Sequence, residues 1–317
     1  MKSRWQALDD QIRDWWDEDL VTAREADIRA DADGTLLFLP HPYSTAAGTG
    51  TAYPEMYGWD TYFINLGLLA HERHDLMRNH ILNQLSMIDR FGMVLNGNRT
   101  FYRTRSQPPL LPDSIWRYFQ ATDDADLLHL AYPLLKKEFS SYWCAPHHQT
   151  PTGLATNRDL GDPSWRQELA AEAETGLDFT PCFGGDVRQC VPLITNCVLV
   201  RYVEVLRQIA ETLSLPDDAA RWQAEHTSRS NHIRDLCWNE TEKLFLEYNF
   251  VRDEPIPVKS LSAYWLLWAG ITSGEQAAAL HDSLTLFEHD YGLTFTDRFY
   301  DVPHAEFSAL QWSYPVG

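Results

Sequence analysis

The feature that most restricts how this chain can fold is a series of helices that come in pairs. From Trp59 onward apolar residues return every three or four positions, at Phe63, Leu66 and Leu69 and then at Leu76, Ile81, Leu85 and Ile88. That is the period of helices with one buried face, here two of them joined by a short turn at residues 71–74. A third helix is predicted over residues 111–120. Asp123 and Asp124, good helix-starting residues, then open a long one through Leu128, Tyr132, Leu135, Phe139 and Trp143. Two further pairs follow, 191–213 with 219–236 and 258–269 with 273–287. In each the first member is dense in apolar residues, such as Val191, Leu193, Ile194, Val198 and Leu199, and the second is polar on one side. The first should be buried and the second should lie outside it.

Alternating inner and outer helices imply an all-α fold, an (α/α)6 toroid or barrel of helical hairpins, in which the loops at one end of the inner helices converge on a central cavity. About nine or ten helices can be counted by periodicity against the twelve of a closed barrel, so the barrel is expected to be incomplete at its C-terminal end. Ahead of it an acidic helix is expected over residues 9–30, followed by a stretch rich in Gly, Pro, Thr and Ser over 31–53 that reads as turns and extended pieces. The expected organisation is therefore a lead-in at 1–53 and a helical domain at 54–317. No repeat is visible at the level of sequence, which argues against a solenoid.

Charge narrows the function. With 45 Asp and Glu against 26 Lys and Arg the net charge is −19, the wrong sign for nucleic acid or an anionic membrane. A neutral small molecule is the fitting partner, and a monomer is expected. No stretch approaches the roughly 18 apolar residues of a spanning helix. The N-terminus runs directly into Asp9, Asp10 and Arg13 without an apolar segment, and the five cysteines are odd in number with no C-x-x-C pair. Both favour a cytoplasmic protein with free, mostly buried thiols. Aromatic residues make up 13%, with twelve Trp; core packing accounts for such a number, as does a cleft that binds sugar on aromatic faces.

Polar and aromatic residues crowd together in four loop segments. They are Glu55-Met56-Tyr57-Gly58-Trp59-Asp60; Asn96-Gly97-Asn98-Arg99 with Arg105-Ser106-Gln107-Pro108-Pro109; Glu174-Thr175-Gly176-Leu177-Asp178-Phe179; and Gln311-Trp312-Ser313-Tyr314-Pro315. Taken singly each has an ordinary explanation: Asp60 or Asp178 as a helix N-cap, Asn96-Gly97 as a turn. His71-Glu72-Arg73-His74 lacks the spacing of a zinc-binding H-E-x-x-H, and no metal is expected.

In this order and spacing the segments resemble the trehalase family of glycoside hydrolases, family 37. The E-x-Y-x-W-D-x-Y core of one family signature is present at Glu55, Tyr57, Trp59, Asp60 and Tyr62. The run N-G-N-R-T-F-Y-R-T-R-S-Q-P-P from Asn96 to Pro109 is close to the family pattern. The family's S-G-W-D-F, which carries the general acid, stands here as Thr175-Gly176-Leu177-Asp178-Phe179, and its Q-W-D-x-P-x-G-W begins at Gln311 and Trp312. The resemblance implies hydrolysis of α,α-trehalose to two glucose units with inversion, without metal or cofactor, and with Asp178 as general acid. It implies sugar binding by Tyr53, Trp59, Asp60, Asn96, Arg105, Ser106, Gln107, Gly176, Gln311 and Trp312. An inverting glycosidase needs a protonated carboxyl and a second carboxylate about 6.5–9.5 Å away to activate water. Leu177 and Phe179 beside Asp178 would favour its protonated form. Arg99 reads equally as a substrate contact or as a buried ion-pair partner that fixes its loop, and Asn157 and Arg158 could continue the lining.

The sequence also departs from the family pattern. Thr49-Gly50-Thr51-Ala52-Tyr53 replaces P-G-G-R-F, so a family Arg is Ala52 here. Asp162-Pro163-Ser164-Trp165 replaces a segment with R-P-E-S, and Ser313 replaces an Asp. The family's base is a Glu downstream of the Q-W signature; nothing aligns Glu306 with it, and the sequence is expected to be a C-terminally truncated fragment, inactive alone. The alternatives are a related enzyme acting on another α-glucoside, such as a glucosylglycerate, or an inactive sugar-binding protein.

Overall fold

The structure, a computed structural model, describes residues 3–47, 53–164, 166–301 and 311–314. The chain divides into two compact units, Met1–Glu138 and Phe139–Gly317. The sequence features at Thr49 to Ala52, Trp165, Glu306 and Pro315 to Gly317 lie outside the described residues.

In the first unit the expected helix at 9–30 is two. Helix α1 (Arg4–Glu18) starts at a capping box between Ser3 and Gln6 and ends at Asp19. The β-branched pair Val21-Thr22 then takes an extended path: strand β1 (Leu20–Val21) pairs antiparallel with β2 (Tyr43–Ser44). Helix α2 (Glu25–Ala30) restarts where the Asp27 carboxylate accepts the Arg24 amide at 2.8 Å and the Thr22 hydroxyl at 2.7 Å. Helix α1 buries no residue completely. It is held by Trp16, whose indole N–H donates to His71 Nδ1 at 2.8 Å and whose ring would touch a Cβ at Gly67 at 3.1 Å. His71 Nε2 in turn meets Asp9 at 2.9 Å, so the His71-Glu72-Arg73-His74 segment serves to dock α1.

Helices α3 (Asp60–Ala70), α4 (His74–Phe91), α5 (Leu111–Thr122) and α6 (Ala125–Glu138) follow the predicted spacing. Gly92 ends α4 at φ +84°, a conformation that costs glycine little. Asp124 accepts the Leu127 amide at 3.0 Å and so starts α6. Asp60 is the first residue of α3, with Trp59 in the cap position, so it is not an N-cap. In this pair the second member buries more apolar residues than the first. α3 buries Thr61, Tyr62, Asn65 and Leu68, whereas α4 buries Leu76, Met77, Ile81, Leu85, Met87 and Ile88.

In the second unit the alternation is clear. After a π turn at Phe139–Trp143 and the short helix α7 (Gln167–Glu172), helix α8 (Leu193–Thr212) buries residues on every side, among them Leu193, Ile194, Leu199, Val203, Leu206 and Ile209. Each such side chain contributes about 1.5–3 kcal/mol by leaving water. Its partner α9 (Pro216–Cys237) buries only a stripe with Trp222, Ile233 and Cys237. Strand β3 (Cys190–Val191) precedes α8. Between α9 and α10 the chain forms β4 (Trp238–Asn239), β5 (Leu244–Phe245), β6 (Tyr248–Asn249) and β7 (Glu254–Pro255), with β3 pairing antiparallel to β6, β6 to β7 and β4 to β5. The helix expected from 258 begins later: the Ser260 hydroxyl accepts the Ser262 amide at 3.3 Å, opening a 3-10 turn at Leu261–Tyr264 that leads into α10 (Trp265–Ala269). Helix α11 (Gly274–Ser283) and a hairpin of β8 (Glu288–His289) with β9 (Gly292–Leu293) follow. The five cysteines are free thiols, and all but Cys144 are buried.

Candidate active-site loops

In the first unit the two polar segments form one hydrogen-bonded assembly. The Trp59 amide donates to Gln107 Oε1 at 3.0 Å, the Gly58 amide to the Asn96 carbonyl at 3.0 Å, and Gln84 Nε2 to the Gly58 carbonyl at 2.9 Å. Asn96 binds the next turn twice, its amide to the Arg105 carbonyl at 3.1 Å and its side chain to the Ser106 carbonyl at 3.3 Å. The Ser106 hydroxyl is turned inward onto the Val94 carbonyl at 2.6 Å. Asn98 accepts the Met56 amide at 2.9 Å and donates to Tyr43 Oη at 3.3 Å. Gly97 is required by packing, since a Cβ there would meet Tyr102 at 3.0 Å and Tyr57 at 3.3 Å.

This frame leaves Trp59, Asp60 and Arg105 half-buried at its surface. The Trp59 ring is edge-on to Phe63 at 5.6 Å, and the Arg105 guanidinium stacks over Tyr102 at 5.0 Å. Burial pushes the Asp60 carboxyl above its ordinary value. Tyr53 is exposed, held in a left-handed conformation at φ +53° and edge-on to Tyr57 at 6.3 Å. Arg99 takes the ion-pair role: its guanidinium bridges Glu55 and Asp31 at 2.7 Å each, and it holds Asp31 down at about 2.

In the second unit Asp178 sits half-buried on a turn between α7 and the 3-10 turn at Pro181–Phe183. Gly176 at φ +74° and Phe179 at φ +58° set the turn's path; the latter is a strained conformation for an aromatic residue, of the kind that persists only where its surroundings enforce it. Two buried glutamates enforce it. Glu174, wholly buried, accepts from the Tyr142 hydroxyl, from His148 Nε2 at 2.9 Å, from Asn157 Nδ2 at 3.1 Å and from the Arg158 amide at 2.9 Å. Burial works against its charge, but His148, then Tyr142 and the Arg158 amide outweigh it and hold the carboxyl below its ordinary value. His148 is raised for the same reason, Glu174 overcoming the cost of burial. Glu172, also buried, accepts the Thr180 amide at 2.7 Å.

Asn157 thus binds Glu174 and, through Oδ1, the Thr195 hydroxyl at 2.8 Å, while Arg158 Nε donates to the His147 carbonyl at 3.1 Å. Gln311 is exposed, and Trp312 is half-buried and edge-on to Phe295 at 5.5 Å. The roles of Glu172, Glu174 and His148 were not apparent from sequence. The one available signal was a pair of acidic residues at an otherwise apolar helix end, which ordinarily marks a solvated face.

The sequence model of the trehalase family matches residues 1–175 and 173–317. A cytosolic neutral trehalase of Beauveria bassiana is 26% identical over 337 residues, covering 84% of this chain and 45% of its own length. This chain therefore spans about half the length of the curated relatives it matches. Among solved structures, the neutral trehalase of Saccharomyces cerevisiae superposes with a TM-score of 0.77 at 23% identity, covering 93% of this chain and 67% of that one. The GH63 mannosylglycerate hydrolase of Thermus thermophilus, solved with glucose, has a TM-score of 0.62 at 17% identity, covering 80% and 75%. At these identities the structures speak for the fold, that of the (α/α)6 enzymes.

Proposed function

The chain belongs to the trehalase family, and from that premise we propose that it carries the general acid and part of the sugar-binding surface of an inverting glycoside hydrolase that cleaves α,α-trehalose to glucose. The observation that carries this reading is the build of the acid loop. Asp178 is half-exposed on a turn that two buried carboxyls and a strained Phe179 hold in place. Preorganisation of that kind is what proton donation to a glycosidic oxygen requires. In the reaction the Asp178 proton passes to the leaving oxygen as the C–O bond breaks, and a second carboxylate takes a proton from the attacking water. None of the described carboxylates is assigned that second role.

In the first unit Trp59 offers an aromatic face to a glucose ring. Asp60 and Arg105 bind hydroxyls, with Asn96, Ser106 and Gln107 fixing the loops beneath them. Gly176, Tyr53, Gln311 and Trp312 complete the proposed contacts. Residues 1–53 act as lead-in and 54–317 as the catalytic part. The protein works in the cytosol as a monomer. Support for the location comes from the names of the relatives. No helix among the described residues is long and apolar enough to cross a membrane.

Glucose release from trehalose by the polypeptide that the natural reading frame encodes tests the reading. Asp178→Asn should lower kcat by about 10²- to 10⁴-fold, while trehalose still binds. Absence of glucose release with saturable trehalose binding would replace the enzyme by a binding protein. Turnover of another α-glucoside in place of trehalose would move the assignment within the fold class. Leu177 where the family has Trp, and Ala52 where it has Arg, are the substitutions that favour that second outcome.

A further inference from the structure

The second unit holds a cleft of about 340 Å³ that the proposed reaction does not use. Three stretches of chain form it: the β4–β5 hairpin, which brings Asn239 and Glu242; the chain from β7 to α10, which brings Pro255, Pro257 and Lys259; and the segment 297–300. None of these residues is among those proposed to touch the substrate of Asp178. The walls are tied to one another. The Asp297 amide donates to the Lys259 carbonyl at 3.3 Å, the Lys259 amide to the Tyr300 hydroxyl at 3.3 Å, and that hydroxyl to Asp297 Oδ1 at 2.7 Å. A bridge between Ser260 and Thr296 continues the pairing, and Asn239 Oδ1 accepts the Thr241 and Glu242 amides at 3.1 and 3.0 Å. A ligand would not have to order such a frame on binding.

The charges of the cleft cancel in place. Lys259 Nζ meets Glu242 at 2.5 Å, and Arg298, stacked over Tyr300 at 4.9 Å, follows Asp297 in the chain. Two cations and two carboxylates leave no net charge to attract an anion or a metal ion. What they leave is donors on Lys259, Arg298 and the Asn239 amide set among acceptors on Glu242 and Asp297, beside apolar surface from the two prolines and the buried Leu246. A hydroxyl group both donates and accepts, so a ring that carries several, with C–H faces between them, matches both kinds of wall. We propose that this cleft is a second binding site, for a neutral sugar of one or two rings. Its volume lies at the lower end of small-molecule sites, roughly 300–1,000 Å³, which limits the number of rings. The proposal does not depend on Asp178 being the general acid.

Titration calorimetry tests it on the polypeptide that the natural reading frame encodes, carrying Asp178→Asn so that sugar is not consumed, with glucose and trehalose as separate probes. Two binding events are expected with at least one probe, and the probe that gives the second event identifies the sugar. Lys259→Met and Asp297→Asn should each weaken one event by about tenfold or more and leave the other unchanged. A single event that neither substitution alters overturns the proposal. So does displacement of the second sugar by inorganic phosphate, which would make the cleft an anion site. A single event lost in both variants would keep the cleft as a sugar site and remove instead the sugar-binding role proposed around Asp178. Crystals of the unsubstituted protein soaked in glucose give a readout that does not depend on the variants folding. Density for a sugar against Pro255, Lys259 and Asp297 supports the site, and an empty cleft at saturating glucose and trehalose overturns it.

Discussion

The loop at 94–109 in the first unit and the turn at 172–180 in the second both hold polar residues in fixed positions at helix ends, and they do so with opposite chemistry. The first is bound by neutral groups: Gln107 on the Trp59 amide, Asn96 on Ser106, Asn98 on Met56 and Tyr43. Its one buried cation, Arg99, is neutralised by Glu55 and Asp31. The second is bound by two buried carboxyls two residues apart that burial and their partners drive in opposite directions, Glu174 down and Glu172 up. Neutral frames are indifferent to pH and lose strength one bond at a time. Frames built on buried charge are pH-dependent and fail together when one member goes.

The largest test of that contrast is Glu174→Ala. It leaves the Tyr142 hydroxyl, His148, Asn157 and the Arg158 amide without their acceptor, in a place water does not reach. Breaking a buried ion pair from one side costs about 3–5 kcal/mol, so urea unfolding should show a loss of that size together with loss of activity. A loss below about 1 kcal/mol would mean the network is not what holds the turn.

Acidity gives the next effect. Glu247 caps the start of α8 by accepting the Leu193 amide at 2.5 Å, and burial pushes it up to about 8 from an ordinary 4.5. A carboxyl raised in the folded state favours folding fully below its unfolded value, and that contribution is lost as pH rises through the folded value. Stability should therefore fall between pH 4.5 and about 8, and Glu247→Gln, which retains an acceptor for Leu193, should flatten the slope by an amount on the order of 2 kcal/mol. Thermal unfolding across that range checks it; an unchanged slope would place the pH dependence elsewhere.

Arg99→Met tests the buried ion pairs of the first loop. It strands Glu55, which is itself buried, and removes the contact with Asp31. A loss of about 2 kcal/mol is expected, seen as a lower urea midpoint at neutral pH. The sign for Asp31 is the reverse of that for Glu247. Its value is depressed to about 2, so its contribution is present above the ordinary 3.8 and is lost only as pH falls through about 2. The Asp31 part of the Arg99 effect should thus be the same at pH 5 and pH 8, within the range where the second unit changes.

How much of this was legible in the sequence follows the same division. Helix α8 was readable because its apolar residues keep a helical period over twenty positions, and the N-G-N-R loop because its residues follow the family pattern, although Asn98 acts on Met56 and Tyr43, which are distant in sequence. Strands β4 to β7 were not read, since two-residue strands are too short to show alternation. The helix expected at 9–30 failed because Leu20 and Val21 found a partner strand at Tyr43 and Ser44, far along the chain, which no local period reveals. Glu174 stands in a motif visible in the sequence, but its meaning lies in His148 and Asn157, and that of Glu172 in the Thr180 amide it accepts. Burial of a charge is a property of the packed structure and leaves no local pattern.

The smallest effect is the most direct check that the first loop is additive. Gln107→Ala removes the acceptor of the Trp59 amide, yet the β-carbon that a Cβ on Gly58 would meet at 3.4 Å remains, so the packing is kept. One neutral hydrogen bond contributes about 1 kcal/mol. Combined with Asn98→Ala, which removes the acceptor of the Met56 amide, the two losses should sum to within about 0.5 kcal/mol. A double variant that loses much more than the sum would show that the amide loop, too, fails as a unit, and the contrast between the two loops would reduce to one of pH alone.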